Sequence, residues 1–216
     1  MSLLTALDRF NAAHPWSHND AFSGFVLRHA RAVRRAGGAV AVDVGCGTGN
    51  MAELLGRVFP EVVGIEPDEK TAAAAARRFA APSAVRIEQR PFIDEPECSY
   101  DLIVFVASLH HMPLRTALRQ ARTALRPAGR IVIVGLARET AADRLRSVIS
   151  LALNPVVGFF KHPARAAHAP SHMRAPISPV NESFEEIRAV AHEELPGIRI
   201  RRRLFWRYTA DWRASN

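Results

Sequence analysis

A short apolar run followed by three alternating glycines constrains this chain more than any other part of its sequence. Residues 40–44 have the β-branched composition of a buried strand, and Gly45, Gly47 and Gly49 follow at once. Glycine permits positive φ angles and lets a backbone approach a ligand closely. The apolar residues that then recur at helical spacing are Met51, Leu54, Leu55 and Val58. A strand, a glycine turn and a helix N-terminus in this order are typical of nucleotide-binding sites.

Apolar runs of strand length alternate with helical periods from residue 40 onward. The predicted strands occupy residues 40–44, 62–65, 85–87, 102–107 and 131–135. This alternation predicts a doubly wound, Rossmann-like α/β sheet. The run at 102–107 is apolar throughout, as expected of a central strand buried on both faces. The stretch 198–212 is strand-like and rich in arginine, and it predicts an antiparallel C-terminal ribbon beside a mostly parallel sheet.

Two pairs of polar residues have the spacing of a helix capping box. Asn50 with Glu53 predicts a helix start directly after the glycines, and Ser183 with Glu186 predicts another near the C-terminus. Residues 139–153 have helical spacing. Residues 155–179 contain five prolines and no clean period, so a lid or binding loop is expected there.

The length of 216 residues fits one domain. The predicted parts are an N-terminal helical cover (1–38), a cofactor-binding core (39–137), an insertion or lid (138–182), and a C-terminal helix with the β-ribbon (183–216). No stretch has the roughly 20 apolar residues of a membrane span, and the N-terminus lacks the order of a secretory signal. We therefore expect a cytoplasmic location.

The formal net charge of +8 comes almost entirely from scattered arginines. Such a distribution favours solvated helix faces, although a functional basic surface stays open as an alternative. The two cysteines, Cys46 and Cys98, are far apart and have no ligand-like spacing around them. Neither a disulfide framework nor a metal site is predicted.

The spacing of the glycines reduces the number of ligand classes that the turn could bind. The dinucleotide fingerprint needs its third glycine at position 50, where this chain has Asn50, and no Lys followed by Ser or Thr completes a phosphate-binding loop. Glu66 follows the second strand, 17 residues after Gly49. A carboxylate at a strand end can accept both hydroxyls of a ribose. The combination predicts an adenosine-type ligand.

Five short motifs extend this pattern along the chain. They are VDVGCGTG at 42–49, GIEPD at 64–68, YDLIV at 100–104, SLHHM at 108–112 and LRPAGR at 125–130. In these motifs the chain resembles the class I S-adenosylmethionine-dependent methyltransferases, in the small-molecule (type 11) branch that includes the ubiquinone-biosynthesis enzymes. The resemblance spans residues 40–135 and implies a single methyltransferase domain with S-adenosyl-L-methionine as cofactor.

The resemblance also implies which residues hold the cofactor. They are Asp43, Gly45, Cys46, Gly47, Gly49, Glu66, Pro67, Gln89, Arg90 and Val106. The glycine backbone would hold the methionyl part, Asp43 would steady the turn or the amino group, and Glu66 would take the ribose hydroxyls. Where the family often has an Asp near the adenine amino group, this chain offers Gln89.

Methyl transfer is an in-line displacement, which needs alignment and, for some acceptors, a base. His110 and His111 follow the fourth strand and are candidates for that base. In the alternative, one packs under the turn and the other caps the next helix. By resemblance, Trp16 and His18 are candidates to close the site or to anchor the first helix. Arg207 and Tyr208 also resemble the family, and a structural role is favoured for them.

Motifs that would indicate other acceptors are absent. An Asn/Asp-Pro-Pro-aromatic motif after strand four, a Pro-Cys nucleophile and a two-glutamate loop are all missing, so methylation of nucleic-acid bases or of arginine is not expected. The preferred function is methylation of a small molecule. The alternative is a non-catalytic module that binds S-adenosylmethionine or associates with RNA.

Overall fold

Strands and helices alternate along the chain in the computed structural model, which describes residues 19–79, 82–143, 146–151, 153 and 180–215. The helices are α1 (Ser23–Arg35), α2 (Asn50–Gly56), α3 (Glu69–Arg78), α4 (Leu114–Ala124) and α5 (Phe184–Glu194). The strands are β1 (Val40–Val44), β2 (Glu61–Ile65), β3 (Val85–Glu88), β4 (Tyr100–Val106), β5 (Leu125–Leu136), β6 (Arg199–Arg202) and β7 (Arg207–Arg213). Trp16, His18 and the predicted lid at 155–179 lie outside the described residues.

One seven-stranded sheet contains all these strands, in the order β3-β2-β1-β4-β5-β7-β6. The pairs among the first five are parallel, whereas β7 runs antiparallel to both β5 and β6. The predicted doubly wound sheet with an antiparallel C-terminal ribbon is thereby confirmed. The connections reverse direction at β1, which lies between β2 and β4, and such sheets bind ligands at the carboxyl ends of the strands around that point.

The two faces of the sheet carry separate apolar cores. Alternate residues of the central strand point to opposite faces, so that Ile103 and Phe105 join one core and Leu102 and Val104 the other. The first core packs against α4 and α5, and the second against α1 and α2. None of the helices described is long and apolar enough to cross a membrane.

The capping box predicted at Asn50 is wrong. Gly49 occupies the N-cap position with a φ of 86°, and Asn50 is already the first residue of α2. Its Oδ1 accepts a hydrogen bond from Arg78 at 2.7 Å, and the Glu53 carboxylate pairs with Arg57 and Arg78. The left-handed glycine turns the chain straight into the helix, so the capping position falls on a residue without a side chain.

The other predicted ends of helices and strands lie closer to those in the structure. The capping box of Ser183 and Glu186 is present in full. β5 includes Pro127 and Gly129: α4 ends at Ala124, and a bulge in which Ala128 has a φ of 62° accommodates the proline. Within the predicted helix over 139–153, Ala141–Asp143 form a 3-10 turn and residues 146–151 and 153 are helical.

Candidate cofactor and active site

A cavity of about 390 Å³ opens at the carboxyl ends of β1, β2 and β4. Among the residues predicted for the site, those that line it are Asp43, Gly45, Cys46, Gly47, Glu66, Pro67, Val106 and His111. We call it the cofactor cavity. Its position at the reversal of strand order is the place where open α/β sheets bind their ligands.

The glycine turn is tied to the neighbouring strand. The backbone N–H groups of Gly45 and Cys46 both donate to the Ile65 carbonyl, at 2.8 and 3.0 Å. The three glycines have φ angles of 67°, 55° and 86°, which residues with a side chain rarely adopt. The backbone path of the turn therefore depends on glycine at each of the three positions.

The space around the three glycines differs, and so do their roles. A Cβ atom on Gly45 would lie 2.5 Å from the Cβ of Ser108, and one on Gly49 would lie 2.5 Å from the Phe79 ring. A Cβ atom on Gly47 would meet nothing within 4 Å, although this residue lines the cofactor cavity. Gly45 and Gly49 thus permit close packing within the protein, whereas Gly47 leaves its backbone open toward a ligand.

Glu66 contacts the glycine turn and is held by backbone donors. Its Oε2 accepts from the N–H of Gly47 at 2.9 Å, and its Oε1 accepts from the N–H of Asp68 at 3.0 Å. Each carboxylate oxygen has two lone pairs, so both oxygens retain capacity for a further donor. The carboxylate is thus fixed in orientation and able to accept hydroxyl groups.

Asp43 lies at the floor of the cofactor cavity with only 1% of its surface exposed. Burial raises the pKa of its carboxyl to about 7; the Ala52 N–H opposes this rise and the Glu66 charge adds to it. No described residue donates a hydrogen bond to its Oδ2. A buried carboxylate oxygen without a partner is costly, so this position fits the ammonium group of the methionyl part of S-adenosylmethionine.

The thiol of Cys46 takes no part in this acid–base chemistry. Burial, aided by the charges of Asp43 and Glu66, raises the pKa of the thiol far above its usual range, which keeps it protonated. Its Sγ–H lies 3.7 Å from the Gly47 carbonyl oxygen. Cys46 and the exposed Cys98 are both free. In the described part of the chain no group of three or more His, Cys, Asp or Glu residues could hold a metal ion.

Gly49, Gln89, Arg90 and His110 do not line the cofactor cavity. Gln89 is exposed just beyond β3. The Arg90 guanidinium binds the Glu88 carboxylate at 2.7 Å and also binds buried Glu95. The side chain of Arg90 is thus committed to an internal network, and the adenine contact assigned to these residues stays a prediction.

The two histidines occupy different positions. His111 is exposed and lines the cofactor cavity, whereas His110 is half-buried behind it, with the ring centroids 4.0 Å apart. Burial lowers the pKa of His110 to about 4, and the charges of His111 and Arg207 contribute. His110 is therefore neutral at pH 7. Because α4 has Pro113 as its N-cap and no side-chain cap, the alternative of a capping histidine is wrong.

Sequence reasoning missed several residues that line the cavity. Ser108 could have been found, because it is a polar residue directly after an apolar strand; its hydroxyl donates to the Val44 carbonyl and holds β4 against β1. Asp68 caps α3 and lies two residues after Glu66. Asn19 and Ser23 carry no recognisable pattern, because they reach the cavity only through the packing of α1.

A doubly wound sheet with an open glycine turn, an acidic strand end and a buried carboxylate with one unpaired oxygen fits an adenosine ligand with a cationic tail. Residues 42–133 match the family described as a methyltransferase domain. This match supports the resemblance to S-adenosylmethionine-dependent methyltransferases, and the predictions of the enzyme class and of S-adenosylmethionine as cofactor are confirmed.

Several individual methyltransferases are similar to this chain in sequence or in structure. An uncharacterized methyltransferase of Mycobacterium tuberculosis is 29% identical over 93% of this chain and 98% of its own length. A ubiquinone biosynthesis O-methyltransferase of Bradyrhizobium diazoefficiens is 27% identical over 62% of this chain and 54% of its own. The solved structure of a SAM-dependent methyltransferase from Methanosarcina mazei has a TM-score of 0.56 and 14% identity, covering 82% of this chain and 92% of that one. This last similarity is one of fold.

Proposed function

We propose that this enzyme binds S-adenosylmethionine in the cofactor cavity and transfers its methyl group to a small-molecule acceptor. The observation that carries the proposal is the unpaired carboxylate oxygen of Asp43 at the floor of a cavity lined by Gly47 and Glu66. Ligands of many kinds bind at glycine turns, but a buried anion requires a cation or a donor. Relatives named for ubiquinone biosynthesis support a small acceptor.

Three groups of the chain would hold the cofactor. Asp43 binds the ammonium group, the Gly47 backbone approaches the methionyl part, and Glu66 accepts the ribose hydroxyls. Bound S-adenosylmethionine supplies an electrophilic methyl group on a positively charged sulfur. The enclosed position of Asp43 also excludes water from the charged end of the ligand, which strengthens the electrostatic interaction.

His111 is the residue best placed to receive a proton from the acceptor. It is exposed on the cavity wall, while neutral His110 stacks behind it and adds no positive charge at pH 7. A general base must reach the acceptor, and His111 is the imidazole that lines the cavity. We propose His111 as the base and His110 as the residue that positions it.

Calorimetry with S-adenosylmethionine and S-adenosylhomocysteine tests the cofactor site. We expect Glu66→Ala to weaken binding by about 10- to 100-fold, because charged hydrogen bonds contribute about 1.5–3 kcal/mol each. The matched control is Glu69→Ala, which removes an exposed carboxylate from the first turn of α3, outside the cavity. Equal affinities in wild type and Glu66→Ala would refute this placement of the ribose.

A screen of hydroxyl, amine and carbon acceptors with methyl-labelled cofactor tests the reaction. We expect His111→Ala to reduce kcat on a hydroxyl acceptor by about 100-fold or more, as loss of general base catalysis does. The cofactor affinity should not change. A His111→Ala variant that retains full kcat would exclude a role as base.

A further inference from the structure

A second, smaller cavity of about 40 Å³ lies beside the start of β7. Five arginines line it: Arg138, Arg146, Arg202, Arg203 and Arg207. The carboxylates among its described lining residues are Glu139 and Asp143. Glu139 accepts hydrogen bonds from Ser147 and Trp206. We call this space the arginine cavity.

The carboxylates do not neutralise these arginines. Arg202 forms an ion pair with Asp143, and Arg138 reaches Glu186 at 3.4 Å. Among the carboxylates whose side chains the structure describes, none lies within 4.0 Å of Arg146, Arg203 or Arg207. The arginine cavity therefore carries an excess of positive charge.

Arg207 is the most enclosed of the three. Its Nε donates to the Asn19 side chain at 3.0 Å and its Nη1 to the Phe205 carbonyl at 3.4 Å. Among the side chains that the structure describes, none accepts a hydrogen bond from its Nη2. Burial lowers the pKa of this guanidinium to about 10. The described partners of Arg207 are thus neutral, and a mostly buried cation is destabilising unless an anion compensates its charge.

Arg207 also connects the two cavities. It pairs with Leu136 at the carboxyl end of β5, beside the end of β4 from which the two histidines follow. Its partner Asn19 lines the cofactor cavity, as His111 does. The charge of Arg207 acts on His110, whose ring stacks on that of His111. A molecule bound at Arg207 would thus extend toward the proposed base.

We propose that the arginine cavity binds the carboxylate or phosphate group of the methyl acceptor, and that Arg207 thereby places the acceptor's nucleophile beside His111. This inference rests on the proposed methyl transfer. A cavity of about 40 Å³ admits one small anionic group, so the rest of the acceptor lies toward the cofactor cavity. The planar fork of an arginine suits both anions because it donates two parallel hydrogen bonds.

The test measures anion binding directly, in the full-length protein saturated with S-adenosylhomocysteine. The probes are inorganic phosphate and a matched pair, 3,4-dihydroxybenzoate and its neutral amide. We expect the benzoate to bind about tenfold or more tightly than the amide, and Arg207→Gln to abolish that difference. Arg207→Lys keeps the positive charge but lacks the two parallel donors of a guanidinium. It should therefore retain part of the affinity difference between the benzoate and the amide.

The matched control is Arg201→Gln, which removes an exposed arginine from the same ribbon outside both cavities. It should bind every probe as the wild type does. Because replacing the mostly buried Arg207 can disturb the fold, Arg203→Gln provides a second variant of the arginine cavity. Thermal unfolding shows whether each variant is folded. The proposal is overturned if benzoate and amide bind equally, or if phosphate alone depends on Arg207, since the latter would indicate a site for free anions.

Methyl-transfer kinetics distinguish this proposal from the proposed function. With an anionic acceptor, Arg207→Gln should raise KM about 10- to 100-fold and leave cofactor affinity unchanged. If no acceptor is methylated while the benzoate still depends on Arg207, the proposed function fails and the anion site stands. If methyl transfer proceeds equally on neutral and anionic acceptors in wild type and variant, the anion site fails alone.

Discussion

Asp43 illustrates at the scale of one residue how a binding site can oppose stability. Its carboxyl is buried, accepts one backbone hydrogen bond and leaves one oxygen unpaired. A raised pKa means that the folded chain holds a proton that the unfolded chain releases, so folding becomes less favourable as the pH rises from about 4 to about 7. A cationic ligand reverses this preference because it favours the ionised form.

The first prediction concerns this pH dependence. The affinity for S-adenosylhomocysteine should rise with pH and level off above about 7, where Asp43 is ionised. Asp43→Asn should bind weakly and without that rise. Calorimetry at several pH values, in buffers of different ionisation enthalpy, should detect a proton released on binding to wild type near pH 6. A variant with the wild-type profile would assign the titration to another group.

The second prediction uses the same substitution in the absence of ligand. Ionising a carboxyl whose pKa is raised from 3.8 to about 7 costs roughly 4 kcal/mol. Asp43→Asn removes that cost, so its melting temperature should exceed that of the wild type at pH 8 and approach it near pH 4. Thermal unfolding across this pH range shows whether the melting temperature of the variant is higher or lower than that of the wild type. A variant that is less stable at pH 8 would show that the carboxylate has stabilising partners.

At the scale of elements, the turn between β1 and α2 assigns different tasks to its glycines. Gly45 lets Ser108 pack against the turn, Gly49 begins the helix, and Gly47 leaves space for a ligand. Gly37 offers a comparison outside the site: its φ is 99° and a Cβ atom there would also meet nothing within 4 Å. The two open glycines thus share backbone strain but not position.

The third prediction compares Gly47→Ala with Gly37→Ala. Each should lower stability by about 1 kcal/mol, because an alanine in the left-handed region costs roughly that amount. Only Gly47→Ala should also weaken cofactor binding, by about tenfold or more, since its methyl group enters the cofactor cavity. Chemical denaturation and calorimetry measure the two effects separately. Similar affinities in the two variants would show that the ligand does not approach Gly47.

For the whole molecule, the features that could be predicted from the sequence are those that depend on local sequence patterns. Alternating periods gave the sheet, and the glycines with Glu66 identified residues that meet in one cavity. Contacts made only by distant packing were not predictable. Asn19 reaches the cavity through the placement of α1, and the enclosed guanidinium of Arg207 depends on β7 pairing with β5. Arg207 and Asn19 form a hydrogen bond although they are 188 positions apart, and no local rule links residues so distant in sequence.

The last prediction separates the basic surface from the methyltransferase site. Exposed Arg28 and Arg31 lie on α1, and the charges of Arg28 and Arg199 both act on His29. Arg199 faces Asp211, whereas Arg202 pairs with Tyr208, so Arg199 lies toward the ribbon end remote from Arg207. Binding of RNA at this basic surface should therefore leave cofactor affinity unchanged. With three or four phosphate contacts, the affinity for single-stranded RNA should fall about 20- to 50-fold between roughly 50 and 200 mM salt. The doubly substituted Arg28→Glu, Arg31→Glu chain should lose RNA binding and keep methyl transfer; if methyl transfer is lost with it, the acceptor is RNA and the small-molecule proposal is wrong.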